Sequence, residues 1–342
     1  MKKTNNLILM LLLAVTLIAQ IPDGYYDGTQ GLQGEAMKNA LHDIIDNHEE
    51  YSYNDLRDFI LRETDEDPDN PNNVILLYTG RSQPKSTFGG GADDWNREHV
   101  WAKSHGDFGN TPPAGTDAHH IRPTDASVNS SRGNLDFDNG GTQHSEATGC
   151  YFDNDSWEPR DEVKGDVARM VLYMEVRYDG SDGMPDLEVV DEVNTYPAPE
   201  HGKLSTLLQW HQQDPPDDFE MNRNEVVFGY QQNRNPFIDY PEFVESIWGN
   251  PTQVEQQAAE RLKIYPVPAK ESVTIELPAG GKEYQVTIFS AAGNKVKSVQ
   301  SHSRHMSLDT PAIPAGNYVV RVRCGGKHFR EQSSVKIKTC CT

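Results

Sequence analysis

Residues 95–105 read Trp-Asn-Arg-Glu-His-Val-Trp-Ala-Lys-Ser-His, and residues 117–134 read Asp-Ala-His-His-Ile-Arg-Pro-Thr-Asp-Ala-Ser-Val-Asn-Ser-Ser-Arg-Gly-Asn. The pattern predicts a strand over 95–101 and a second over 117–122, joined by a loop rich in glycine and proline. Pro123-Thr124-Asp125 then opens a helix, with Thr124 or Asp125 as its N-cap. Gly133 stops that helix within about two turns. Asn129 and Arg132 are three apart, so they share a helix face. The result is a strand–strand–helix unit with Glu98 and His99 on the first strand and Asn129 on the helix.

Adjacent strand residues point to opposite faces, so Glu98 and His99 can serve one site only at a strand end, bulge or bend. A carboxylate and an amide oxygen are hard donors, suited to Mg²⁺ or Ca²⁺ rather than Zn²⁺. With only two protein ligands, several positions stay open for water or phosphate oxygens, the usual arrangement of Mg²⁺ at a phosphate substrate. A neutral histidine nearby can take a proton from water near pH 7. His119 and His120 offer a competing zinc set with His99, but a tandem pair on a strand cannot easily share one ion. Asp125 either caps the helix or supports Asn129 from four residues away. Arg97 reads equally as structural or functional.

These motifs are similar to those of the endonuclease I family, secreted and periplasmic bacterial nucleases of the His-Me finger (ββα-metal) type. The resemblance extends to Lys164-Gly-Asp-Val-Ala-Arg-Met170, Asn222-Arg-Asn-Glu225 and Asn233-Arg-Asn-Pro-Phe-Ile-Asp239, and covers about residues 22–249. It implies His99 as general base, and Glu98 and Asn129 as ligands of one divalent metal ion, Mg²⁺ before Ca²⁺ or Mn²⁺. It implies hydrolysis of phosphodiester bonds in DNA, with RNA as a further substrate, leaving 5′-phosphate and 3′-hydroxyl ends. The chain departs from the disulfide-rich relatives at residues 106–116, GDFGNTPPAGT, where their insertion carries cysteines and a phosphate-holding arginine. Arg122 and Arg132 are the substitutes expected to bind substrate.

The chain has 342 residues, enough for a large domain and a small one. Met1-Lys2-Lys3 followed by the apolar run Leu7 to Ala19 has the plan of a secretory signal peptide. That run falls short of the ~20 residues a spanning helix needs, so no transmembrane span is expected in the mature protein. Of Cys150, Cys324, Cys340 and Cys341, only the first lies in the main body, which is therefore not disulfide-built. The net charge is -21, the reverse of what binding a polyanion suggests. Nucleic acid would have to bind through a small, local, metal-assisted cleft. The Asp-rich runs at 65–69 and 214–220 lack a calcium-loop pattern and read as solvated surface.

Helices are expected at 34–47, 166–178 (with one buried face), 203–212, 217–231 and 240–248, and a strand at 73–78 before a loop over 80–94. Arg223 and Arg234 read as packing arginines. After a polar, Gln-rich stretch the period turns from helical to alternating, at 273–277, 284–289, 317–324 and 334–337. Ile264-Tyr-Pro-Val-Pro-Ala-Lys270 and Pro314-Ala-Gly-Asn-Tyr-Val-Val-Arg-Val322 resemble a type IX secretion C-terminal sorting domain of Bacteroidetes-type bacteria.

The fold class expected is α+β: a helix-rich His-Me finger nuclease domain followed by a small all-β sandwich. The expected division is a signal peptide over 1–19, a nuclease domain over 20–249, a linker over 250–261 and a sorting domain over 262–342. The expected partners are nucleic acid and the type IX secretion machinery. The expected form is a monomer, extracellular or on the outer-membrane surface of a Gram-negative bacterium. Two rival functions stay open: a phosphoesterase of small nucleotides, and a non-catalytic surface adhesin.

Overall fold

The computed structural model describes residues 21–249 apart from 182, and in the C-terminal part 263–266, 269, 272–276, 284–290, 295–303, 305–309, 313–324, 327–330 and 335–337. The expected signal peptide, linker and tail cysteines lie outside the described residues.

Helix α1 (Glu35–Ile45) buries Met37, Leu41 and Ile45, the i, i+4 stripe its sequence carries. The strand expected over 73–78 lies earlier, at Asn70–Ile75, and pairs with Ser82–Pro84 from the segment read as loop. Strand β1 (Trp95–His99) pairs antiparallel with β2 (Ile121–Asp125), with Glu98 opposite Arg122 and His99 opposite Ile121. The second strand therefore starts four residues later than its pattern suggests. Residues 117–120 form a turn instead, because the Asp117 carboxylate accepts the main-chain N–H of His119 at 2.9 Å.

Helix α2 (Ala126–Arg132) follows β2 directly and ends at Gly133, whose φ of 58° is a conformation glycine adopts without strain. Asp125 holds the N-cap position but caps nothing. Its carboxylate accepts instead from Thr79 Oγ1 at 2.7 Å and from Arg81.

Helix α3 (Lys164–Arg177) is buried at every residue, not along one face. Its ionic side chains tolerate this because each is paired: Lys164 with Glu158, Asp166 with Arg122, Arg169 with Glu220, Glu175 with Lys38, and Arg177 with Asp46. Helices α4 (Leu204–Gln213), α5 (Asp218–Gln231) and α6 (Glu242–Trp248) follow it. The side chain of Asp217 caps α5, accepting the Glu220 N–H at 2.8 Å. A core cluster including Leu41, Trp101, Trp157, Val171 and Trp210 surrounds α3, and a second one, including Leu56, Trp95, Ile121 and Val227, lies under the β1–β2 ribbon.

Among the described residues the C-terminal part is all β. Strand β3 (Ser272–Glu276) sits in a three-stranded sheet; β4 (Tyr284–Ser290) and β5 (Lys295–Ser301) belong to a five-stranded one. Inward residues of both sheets, among them Val273, Ile275, Val286, Ile288 and Val322, share one core. That is the expected sandwich arrangement. No helix among the described residues is long and apolar enough to cross a membrane.

Candidate active site

Alternation along β1 divides its side chains between two faces. Asn96 and Glu98 face α2; Arg97 and His99 face the other way, onto Tyr53. The contacts show the division. Asn129 of α2 bonds Asn96, and Arg132 of α2 lies 3.4 Å from Glu98. On the opposite face the Arg97 guanidinium sits over the Tyr53 ring and the His99 imidazole stacks on it, with centroids 5.6 Å apart.

Asn129 donates from Nδ2 to Asn96 Oδ1 at 2.7 Å and to the main-chain carbonyl of Arg97 at 3.1 Å. The second acceptor has no donor form, so the amide nitrogen must face it. Both amide hydrogens are then spent, and Oδ1 is left as an acceptor with a set direction.

Glu98 is 1% exposed. Its Oε1 accepts from the Tyr78 hydroxyl at 2.7 Å and lies beside the Arg132 guanidinium. Oε2 takes no hydrogen bond from the described residues. Burial pushes the Glu98 carboxyl above the usual range, and the Arg132 charge and the Tyr78 hydroxyl pull against that. Two oxygens on one side of the ribbon, one of them anionic, therefore stand without donors. That donor set fits a hard divalent cation.

His99 is the last residue of β1, and the chain bends at Val100. Its Nε2 lies 3.1 Å from the carbonyl oxygen of Gly115, and Nδ1 takes no partner among the described residues. Burial first, then the neighbouring His120, hold its imidazole well below the usual histidine range. A ring that stays neutral at pH 7 with an open nitrogen can accept a proton.

The two substitute arginines are placed differently from expectation. Arg122 is buried, its guanidinium taken up by Asp65 and, at 3.3 Å, by Asp166. Arg132 is also buried, donating to the carbonyls of His99 at 3.2 Å and Val100 at 2.7 Å. Neither presents a free guanidinium to a phosphate. Arg132 instead braces Glu98. Arg223 and Arg234 are packing arginines, the first held by Asp65 and the second by Glu225 and Asp239.

His119 and His120 each direct Nε2 at a main-chain carbonyl, that of Asn233 at 3.1 Å and that of Ala114 at 2.9 Å. Neither belongs to a metal-spaced cluster among the described residues. One such cluster does exist: ligand atoms of His105, Asp136 and His201 all lie within 4.8 Å of one another, a spacing compatible with a divalent metal. Both ring nitrogens of His105, however, already meet carbonyls, Glu200 at 2.7 Å and Asn134 at 2.8 Å. Asp136 accepts from Thr195 and the Gly202 N–H. The protein itself satisfies this group, and it touches the site only through Arg132, which bonds His201 Nε2 at 3.2 Å.

Sequence reasoning did not single out Tyr53, Tyr78, Asn96 or His201. Asn96 alone had a legible signal, as it shares a strand face with Glu98.

Residues 33–242 match the family model described as Endonuclease I, and residues 263–336 match that of the Secretion system C-terminal sorting domain. A protein of Bacillus subtilis (strain 168) named "Extracellular ribonuclease" is 60% identical over 227 residues, 66% of this chain and 78% of that protein. One of the same name from Bacillus amyloliquefaciens is 60% identical over 225 residues, with the same coverage. Among solved structures, dimeric latent PorU from Porphyromonas gingivalis is 20% identical over 24% of this chain and 9% of its own, with a TM-score of 0.18, too slight a likeness to inform the fold.

Proposed function

The chain belongs to the Endonuclease I family, and from that premise we propose that it is a metal-dependent endonuclease of low sequence specificity that cuts RNA as well as DNA. Its family and its relatives make it a secreted nuclease, a phosphodiester hydrolase, and its sorting domain implies passage through a dedicated secretion machinery. The two relatives' shared name supports RNA as a substrate.

The observation that carries the mechanism is the set of open atoms: Glu98 Oε2, Asn129 Oδ1 and His99 Nδ1. His99 Nδ1 takes a proton from water, which attacks phosphorus in line with the departing 3′ oxygen, leaving a 5′-phosphate. Glu98 and Asn129 would hold one divalent cation, Mg²⁺ first. Bound there, it would neutralise the phosphate and the charge growing on the leaving oxygen. Asn96 and Arg132 keep the two ligands in place, and Tyr78 steadies the Glu98 carboxylate. Contacts to phosphates carry little sequence information, which fits a scavenging enzyme better than a site-specific one. The sorting domain would deliver it to the medium or the outer surface of a Gram-negative cell.

The test is conversion of supercoiled plasmid and of a long RNA by the wild-type protein, with Mg²⁺ or with EDTA, beside His99→Ala. Cutting of both polymers only with metal, and near silence of the variant, supports the reading. Full activity in EDTA, or an unimpaired His99→Ala, overturns it.

A further inference from the structure

Arg97, in β1, forms no ion pair among the described residues. Its guanidinium carbon lies 3.4 Å from the centroid of the Tyr53 ring, and Nη1 donates to the Tyr53 main-chain carbonyl. Its Nε has no partner, and no ion pair within 4 Å is formed by it among the described residues. The carboxylate that acts on it electrostatically, Asp58, is already gripped by Arg57 at 2.6 and 2.8 Å. Arg122, Arg132, Arg169, Arg223 and Arg234 all have carboxylate neighbours. Arg97 differs from these five in being half-buried without an ion pair among the described residues, in a chain whose net charge is -21.

The surroundings add a second observation. The Phe88 ring meets two cations, at 5.1 Å from the Arg97 guanidinium and 5.5 Å from that of Arg57. Tyr53 and Phe88 are both partly exposed. Tyr53 carries Arg97 and the His99 imidazole on one ring. Guanidinium groups interleaved with accessible aromatic rings are what a single nucleic-acid strand needs: a fork for a phosphate and flat faces for bases. The alternation of β1 puts this patch on the face of His99.

We propose that Arg97 binds a phosphate of the substrate strand beside the scissile bond, with Tyr53 and Phe88 as the aromatic platform flanking it. The inference rests on the nuclease reading above and adds the groups that grip the strand. A desolvated guanidinium lacking a counter-anion gains most from a phosphate, whose oxygens match its fork. Tyr53 fixes the separation between the phosphate grip and the base, so a phosphate held on Arg97 is held in register with His99.

The experiment uses the full chain with His99→Ala, so that substrate is bound and not cut. Fluorescence anisotropy of a labelled single-stranded oligonucleotide, in Mg²⁺ across a salt series, is compared with the same chain carrying Arg97→Met or Arg97→Lys. Arg97→Met should weaken binding about tenfold and lower the slope of log K against log salt by about 0.7, one phosphate contact on a single strand. Arg97→Lys should keep the slope while losing part of the affinity, because it keeps the charge but not the fork. Thermal melting of each variant checks folding, and if Arg97→Met is unfolded the Lys variant decides. Unchanged affinity and slope in a folded Arg97→Met, or full wild-type affinity in Arg97→Lys where only that variant folds, overturns the inference while leaving the nuclease reading intact. Failure of the His99→Ala parent to bind, together with no cutting by wild type, removes both.

Discussion

The Nε2 of His99 and the carbonyl oxygen of Gly115 stand 3.1 Å apart, and that contact distinguishes the two nitrogens of the ring. A carbonyl only accepts, so Nε2 carries the proton and Nδ1 keeps the lone pair. Gly115 lies in the Gly/Pro-rich connection, residues 100–120, between the two strands of the ribbon, so the loop sets the tautomer of the proposed base.

His99→Ala should lower kcat by about 10²- to 10⁴-fold, the usual contribution of a positioned base. The pH profile of kcat/KM carries the sharper test. The ring must be neutral to act, and its surroundings hold it well below the usual histidine range. Activity should therefore persist as pH falls through 6.5 and decline only below it. An acid limb above pH 7 that disappears in no histidine variant would show that His99 is not the base.

Asn96→Ala removes the oxygen that orients the Asn129 amide without touching either proposed metal ligand. The Mg²⁺ concentration for half-maximal activity should rise about 10- to 100-fold, with kcat at saturating metal largely kept. Titration of activity against Mg²⁺ measures this. An unchanged midpoint would mean that Asn129 needs no such support.

Arg122→Met tests the corrected role of that arginine. Asp65 and Asp166 would lose a buried cation, so stability should fall by about 3–5 kcal/mol, read by urea unfolding. The salt dependence of oligonucleotide binding by the folded fraction should not change. A reduced salt slope with unaltered stability would restore the substrate-binding role.

Acid should loosen the fold before it reaches the ordinary carboxylate range. Burial is the first cause holding His119 and His120 at about 4, below the ordinary 6.5. The Nδ1 of His120 is buried without a partner, so a proton there would be an unsolvated charge. Because the unfolded chain binds these protons more readily, stability is complete above pH 6.5 and is lost as pH falls toward 4. The urea midpoint should drop steadily over that window, and His119→Gln should flatten the slope. A midpoint constant from pH 7 to 4.5 would contradict the burial of both rings.

Much of this was legible beforehand. Asn129 lies on a helix that Gly133 ends, where the pattern placed it, and Met37, Leu41 and Ile45 face inward as their spacing required. The misplacements have local physical causes. Asp117 uses its carboxylate to close a turn, which delays β2; Asp125 turns to Thr79 and Arg81 rather than to the helix it precedes. Helix α3 looked amphipathic because its charged residues are indistinguishable in sequence from solvated ones. Most find a partner far along the chain, as Glu175 does in Lys38, 137 residues away.

By itself, then, the sequence determined the strand–strand–helix unit, the residue types offered to a metal and a base, and the order of a helix-rich part before an all-β one. These follow from periodicity, turn residues and donor chemistry, all of which act over a few neighbours. Only the tertiary structure decided what each arginine does. A guanidinium carries the same charge anywhere, but Arg122 meets Asp65 across 57 residues, Arg132 meets Glu98 on the neighbouring strand, and Arg97 meets no carboxylate within ion-pair distance among the described residues. Partnership at that range is set by packing, because only the folded core brings the opposite charges within reach and removes the water that would otherwise have answered them.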